Sequence, residues 1–555
     1  MKRGSRSAVL AAAAALALFA RDVRPQAPSI PPEDRVVEAL RERLEQLETA
    51  GRLSVADTDL ALVRALPRIY EANGYRPFWT PERLEAERKI LADSVSDGLT
   101  PEDYHLAALL RLPPAAAAPG SDPRARADVD LVATDGFVLL LRHLYLGKVD
   151  PRSLDPQWNF ELRPIVEGDA VAFVSQALSR GLLDEAVAAA RPKHPWYDDA
   201  RASLAEYRGI ASRGGWPAVP AGSGLKTGVT DSRVPILRRR LAATGDLVGQ
   251  PLDDRTFGEP LADAVRAFQT RHRLAADGAV GPGTLAQLNV PVESRIRQIR
   301  VNLERARWAL HEVDADNFVL VDIAGFEASY YRNRDVLWRG RIQVGKPYRQ
   351  TPVFKSTIDH VVFNPTWTVP PTILSKDILP AVRRDPGYLA KKKLEVLDRN
   401  GKPVDPSSID WARATGKNFR YMLRQGPGPD NALGRVKILF PNPYFVYLHD
   451  TPSRDLFEKE ERAFSSGCIR VERPLELAEL LLDDPKNWDP AAIARVVADG
   501  ATRTVRLSRP ATVLLMYWTI VPSREGRTVF KHDPYGRDPK LAAALDAPFR
   551  PAPTP

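Results

Sequence analysis

Phe318-Val319-Leu320-Val321-Asp322-Ile323, followed by Glu327-Ala328-Ser329-Tyr330-Tyr331, Val336-Leu337-Trp338 and Ile342-Gln343-Val344, is where the chain changes period. Upstream, apolar residues recur at helical spacing; here they alternate, and β-branched and aromatic types dominate. Gly325, Asn333-Arg334 and Gly345-Lys346-Pro347 punctuate the run. Alternation bounded by turn residues predicts consecutive antiparallel strands with one buried face. Strand-like segments return at residues 436–439, 444–448, 504–507 and 512–517. Between the two groups lie residues 374–431, charged and helix-prone, ending near Gly426-Pro427-Gly428-Pro429. An insertion of this length within one sheet predicts a helical lid over whatever site the sheet carries.

Toward the N-terminus the pattern is helical. Residues 292–310 form a connector. Residues 231–290 form a small unit with two helical runs, 234–241 and 261–269, and turn signals at Asp277-Gly278 and Gly281-Pro282. A Gly/Ser/Pro-rich linker at 214–224 separates it from residues 33–222, where helical runs alternate with Pro-rich loops and Val36, Leu40, Leu44 and Leu47 share one face. His105, His143 and His194 lie in that region without the clustering of a ligand set, and are expected as packed or surface residues. At the start, Lys2, Arg3 and Arg6 precede an apolar run over residues 8–20, which predicts a signal peptide or a retained anchor for residues 1–20.

A chain of 555 residues exceeds what one core supports and predicts several domains. The net charge of +9 comes from 79 basic and 70 acidic residues that are interspersed, not blocked. That balance suits anionic wall polymers or membrane surfaces, and the absence of zinc-finger spacing or aromatic ribonucleoprotein motifs argues against nucleic acid. No apolar run approaches the roughly 20 residues of a membrane span. The single cysteine, Cys468, has no internal disulfide partner. In an exported protein, a lone thiol is exposed to oxidation and needs a reason to be there.

That reason lies in its surroundings: Tyr447-Leu448-His449-Asp450-Thr451-Pro452, a charged loop, then Phe464-Ser465-Ser466-Gly467-Cys468-Ile469-Arg470-Val471. A thiol is mostly protonated at neutral pH, so attack on an amide needs a nearby base, and His449 is the candidate. Gly467 removes a Cβ beside the thiol, and backbone N–H groups around Gly467 and Cys468 are candidate oxyanion donors. Cationic Arg470 is expected to favour the thiolate.

A histidine, a loop, then Ser-x-Gly-Cys, an aliphatic residue and Arg resembles the signature of L,D-transpeptidases with the YkuD-type catalytic domain. Residues 365–373 (PTWTVPPTI) and the helix-like 475–482 resemble that family too, and residues 264–289 (AVRAFQTRHRL…DGAVGPGTLAQLN) resemble a peptidoglycan-binding domain. The layout is similar to the large periplasmic type of Gram-negative bacteria. The resemblance implies a multidomain α+β protein: a helical scaffold domain over 33–222, a small helical peptidoglycan-binding domain over 231–290, and a β-rich catalytic domain over 315–520 with its lid at 374–431. Residues 521–555 are a C-terminal flap and tail.

By the same resemblance Cys468 is the nucleophile, His449 the base, the Asp450 carbonyl orients His449, and Gly467 shapes the catalytic turn. Arg470, Ser466, Tyr447 and Trp367 are candidate substrate contacts; Tyr447 and Trp367 also fit as core aromatics. Ser466 and Asp450 depart from the commoner histidine and glycine of the family. The implied reaction is thioester acyl transfer forming 3→3 cross-links between peptidoglycan stem peptides, with a tetrapeptide donor and a diamino acid acceptor. Water or a lipoprotein amine is the alternative acceptor, and a non-catalytic wall-binding protein is the alternative class. No metal and no cofactor are implied, nucleic acid is not a partner, and a membrane enters only through the N-terminal anchor. Wall synthases and D,D-carboxypeptidases are the candidate protein partners. A papain-like peptidase is disfavoured, because there the cysteine precedes the histidine.

Overall fold

The computed structural model describes residues 35–154, 158–313, 316–524 and 527–550. The expected signal peptide or anchor lies outside the described residues. None of the described helices is long and apolar enough to cross a membrane.

The N-terminal helices pack around the 24-residue helix Pro123–Leu146, which starts where Asp122 accepts the Ala125 N–H and Pro123 takes the first turn. That helix is apolar almost all round, so it sits inside the scaffold core with neighbours on every side. Its polar residues are satisfied there: the Asp130 carboxylate accepts from the Tyr70 hydroxyl at 2.6 Å and from Trp79 N–H at 3.0 Å. His143 is buried beside Tyr104, His105 faces the Asp135 carboxylate at 2.6 Å, and His194 caps a helix. All three therefore have packing or capping roles.

The small unit has three helices, Val234–Ala243, Glu259–Arg271 and Pro282–Leu288, around Leu237, Leu241, Val265 and Phe268. Gly281-Pro282, read above as a turn, opens the third helix, since proline at the first helical position loses no hydrogen bond.

The change of period produces the expected sheet. Its strands are β1 (Asn317–Asp322), β2 (Glu327–Arg332), β3 (Asp335–Gly345), β4 (Val353–Phe363), β5 (Val436–Leu439), β6 (Leu448–His449), β7 (Ile469–Val471) and β8 (Arg503–Met516). The order is β5-β6-β7-β3-β2-β1-β8-β4, and β4 also pairs with β5, so the sheet closes on itself. Closure leaves no long unpaired edge. The first strands are antiparallel neighbours, while β6 and β7 run parallel, as do β8 and β1. Residues 504–507 and 512–517, read as two segments, belong to one strand with an irregularity between Arg506 and Ala511.

Two expectations need correction. Residues 444–448 were expected as strand, but only Leu448–His449 pairs, because Asn442 folds the preceding loop over itself. Its Oδ1 accepts from Tyr444 and Val446 N–H, and its Nδ2 donates to Phe440 and Val446 carbonyls. The insert is also not a helical lid. It has short helices at Leu379–Arg384 and Tyr388–Lys391, but also the strands Leu394–Leu397 and Met422–Gln425, which form a three-stranded sheet with Trp367–Thr368. Val369, Leu374, Ile378, Val396 and Leu423 give it a core of its own. Lysines and arginines around the short apolar runs mask that alternation in the sequence.

Candidate active site

Strand register places the chemistry. Lys437 on β5 pairs with His449 on β6, His449 with Arg470 on β7, and Arg470 with Gln343 on β3. Cross-strand partners share a face, so these four side chains form one row across the sheet. Leu448 pairs with Ile469 one step back, and both are fully buried on the opposite face. Tyr447 and Cys468 therefore stand on the same face as His449 and Arg470, and all four line one cavity of about 1320 Å³ together with Lys437.

His449 is buried, and its Nδ1–H donates to the Asp450 carbonyl at 2.5 Å, which leaves Nε2 as the acceptor nitrogen. Burial pushes its pKa down to about 3, and the flanking charges of Arg470 and Lys437 act in the same direction. Asp450 is held in turn: its carboxylate accepts the Arg435 N–H at 2.9 Å and contacts Arg454 at 3.3 Å. An aspartate here anchors the backbone whose carbonyl orients the imidazole. Gly434 accommodates it, with φ +60 and Asp450 Cβ only 2.5 Å from where a side chain would begin.

Cys468 is half-buried, and its Sγ lies 3.6 Å from the Phe445 carbonyl. Burial lifts the thiol above its ordinary value, while hydrogen bonding to Tyr447 and the charges of Lys437 and Arg470 pull only partly the other way. Arg470 thus acts in the expected direction, toward the thiolate, but desolvation is the larger influence on the thiol. Burial therefore acts on both groups in the sense that favours their uncharged forms, the thiol shifted up and the imidazole shifted down.

Gly467 precedes the thiol at φ +120, a conformation that side-chain-bearing residues avoid. Its N–H donates to Ser465 Oγ at 3.0 Å, so it is engaged and not an oxyanion donor. Its carbonyl accepts from Thr351 Oγ1 at 2.9 Å. The Thr351 N–H donates to the Tyr535 hydroxyl, which itself donates to the Gly345 carbonyl at 2.9 Å. The C-terminal flap is in this way bonded to the loop that cradles Gly467.

Ser466 is exposed, and its Oγ accepts from Arg349 at 2.9 Å. Arg349 also pairs with Asp377 of the insert at 2.5 Å, which latches the insert to the cysteine loop. Trp367 lines the cavity as well and starts the insert's sheet opposite Gln425. Arg470 donates to Gln343 Oε1 at 3.1 Å, and Lys437 Nζ lies 3.9 Å from the Tyr447 ring centre. Lys437, Gln343, Thr351, Arg349 and Tyr535 escaped the sequence reading. Only Lys437 left a trace there, as the one charge in the apolar run Val436-Lys437-Ile438-Leu439. Among the described residues no cluster of His, Cys, Asp and Glu could hold a metal ion.

A closed, β-rich domain with a cysteine and an oriented histidine in one cleft defines a class, and comparison with known proteins names it. Residues 316–506 match the family model of the L,D-transpeptidase catalytic domain, residues 64–204 that of a scaffold domain, and residues 230–288 that described as "Putative peptidoglycan binding domain". A curated Haemophilus influenzae protein, "Putative L,D-transpeptidase", is 36% identical over 253 residues, covering 45% of this chain and 50% of that protein. The chain thus spans about half the length of the curated relative it matches. Solved L,D-transpeptidases from Xylanimonas cellulosilytica and Stackebrandtia nassauensis are each 14% identical and cover 54% of this chain. The match takes in 99% of the first structure and 96% of the second, with TM-scores of 0.16 and 0.20, too low to carry an argument. The chain carries an L,D-transpeptidase catalytic domain joined to scaffold and peptidoglycan-binding domains.

Proposed function

We propose that this chain is an exported, periplasmic peptidoglycan L,D-transpeptidase that forms 3→3 cross-links through a thioester on Cys468. The supporting observation is that Cys468 and His449 share one cavity while the Nδ1–H of His449 is committed to the Asp450 carbonyl. A neutral imidazole so held can accept a proton at Nε2 only.

In the first half-reaction, Nε2 of His449 takes the thiol proton as Sγ attacks the carbonyl of the third residue of a tetrapeptide stem. The C–S bond forms, the amide C–N bond breaks, and the imidazolium returns the proton to the leaving D-alanine amine. In the second, an uncharged side-chain amine of a diamino acid on another stem attacks the thioester. The new C–N bond forms, the C–S bond breaks, and His449 passes the amine proton back to sulfur. With the Gly467 N–H occupied, the Cys468 N–H and the Tyr447 hydroxyl are the donors left to steady the tetrahedral oxyanion. Arg470, Ser466 and Trp367 are the proposed substrate contacts.

The deciding experiment is intact mass after carbapenem treatment. One covalent adduct on the wild type, absent from Cys468→Ala, is the expected result; an adduct that survives the substitution removes Cys468 from the reaction. Muropeptide analysis of cells expressing each form separates transfer from hydrolysis, since a carboxypeptidase yields tripeptide stems without 3→3 dimers.

A further inference from the structure

Among the described residues that line the cavity there is no aspartate or glutamate, while several are cationic. Two of those cations, Arg305 and Arg349, are balanced from outside the lining, by Asp538 at 2.7 Å and by Asp377 at 2.5 Å. Lys437 and Arg470 are not. The Lys437 ammonium sits over the Tyr447 ring, 3.9 Å from its centre, and its three N–H donors find no hydrogen-bond or ion-pair partner among the described residues. Arg470 donates to the neutral Gln343 Oε1 at 3.1 Å, and its buried Nε–H finds no partner among the described residues. Burial pulls both cations below their ordinary pKa values, whereas Asp377 holds Arg349 above its own.

The sheet register sets these two charges on either side of the candidate base. Lys437 on β5 pairs with His449 on β6, and His449 with Arg470 on β7. Neighbouring strands lie about 4.8 Å apart, so His449 stands between two cations whose backbones are about 10 Å from each other. Tyr447, the ring beneath Lys437, is hydrogen-bonded to the Cys468 thiol. A buried or half-buried cation without an anion carries a desolvation cost that nothing else in the fold offsets, and such groups concentrate where a ligand completes them. Their sign makes that ligand an anion, and their closeness to Cys468 and His449 makes it part of the reacting substrate.

We propose that Lys437 and Arg470 capture the free carboxylate of the donor's terminal residue and so confine attack to the last amide bond of the peptide. The inference rests on the transpeptidase reading above and adds what selects the bond. A terminal carboxylate lies one residue beyond the attacked carbonyl, about 3.3–3.6 Å of extended chain, which keeps it beside the row that His449 shares with the two cations. A stem whose terminal residue is already joined to a neighbour offers no charge there and is left alone. The enzyme thereby adds cross-links without opening those that block the terminus. The carboxylate also acts on the base. After burial, the charges of Arg470 and Lys437 hold the imidazole low, and an anion beside them counters both, so Nε2 becomes a stronger base as the donor seats.

The test offers the full-length protein three donors: a tetrapeptide with a free terminal carboxylate, the same peptide as its terminal carboxamide, and a peptide longer by one residue. Acyl-enzyme formation is followed by intact mass. The wild type is expected to react with the free tetrapeptide about tenfold faster than with the other two, the scale of a charge-assisted contact. Lys437→Met should bring that ratio close to one, and Lys437→Arg should keep the preference. Should Lys437→Met fail to fold, Lys437→Gln takes its place, and carbapenem acylation shows which variants retain a working thiol. A purely electrostatic effect of Lys437 on the thiol or the imidazole would slow all three donors alike, so a slower variant with the ratio intact overturns the proposal. A wild type that takes up carbapenem but treats the three donors equally overturns it too, with the transpeptidase reading still standing. If no peptide and no carbapenem acylates the wild type, the transpeptidase reading fails first, and carboxylate capture with it.

Discussion

Between Lys437 on one strand and Arg470 on the next, the His449 ring binds a proton far less readily than in an unfolded chain. Unfolding therefore takes up a proton between pH about 3 and the ordinary 6.5, and stability in that window rises with pH. Buried His143 and His272, also held well below the ordinary value, act with the same sign. Melting temperature is expected to fall as pH drops through this range, and His449→Gln should flatten the slope; a variant with an unchanged slope would rule out a buried neutral imidazole. The raised thiol makes a second forecast. Difference absorbance between wild type and Cys468→Ala should show no thiolate at neutral pH, whereas a resting ion pair would show it. At Gly467, alanine meets no atom closer than 3.8 Å, so its cost is conformational, about 1–3 kcal/mol, and should appear as slower acylation with a modest drop in melting temperature.

Among the structural elements, the C-terminal flap and the insert each hold the cysteine loop by a different bond. The Tyr535 hydroxyl serves both the Gly345 carbonyl and the Thr351 N–H in a buried setting, so Tyr535→Phe is expected to cost about 1–3 kcal/mol and slow carbapenem acylation. An unaltered acylation rate would sever the flap from the site. The Arg349–Asp377 latch is half-exposed and contributes little to global stability, under about 1 kcal/mol; Asp377→Asn should instead raise amide exchange across residues 367–425. How far such parts were legible depends on sequence distance. His449 ends β6 and Cys468 immediately precedes the neighbouring β7, only 19 positions on in the sequence, so a local reading could pair them. The Lys437–His449–Arg470–Gln343 row depends on the register of four strands, and Tyr535 reaches Gly345 across 190 positions, a contact no local pattern encodes. Long alternating runs such as residues 317–345 announced themselves as strands; the insert's short ones, set among lysines and arginines, did not.

Across the whole molecule, the domains are bound by buried contacts and not merely strung on linkers. Arg271 of the peptidoglycan-binding domain reaches Asp246 within its own domain, Tyr207 of the scaffold side and the Thr528 carbonyl of the C-terminal segment. His272 lies between Phe268 and Phe530, stacked on the latter. Lys148 in the scaffold holds the Leu545 and Ala547 carbonyls, and Phe549 packs on His143. Calorimetry should accordingly show the wall-binding unit melting with the rest, and Arg271→Ala should split off an earlier transition; a separate transition already present in the wild type would mean the domains are uncoupled. None of these ties was visible in the sequence, because each joins segments whose local patterns are complete without it. The pairing of Trp158–Asn159 with Val353–Phe354 has a practical corollary. A surrogate trimmed to residues 316–506 would lose that borrowed strand together with the flap, leaving a sticky seam and half a receptor. Inhibitors ranked on such a fragment would be chosen against a shape the intact protein never presents.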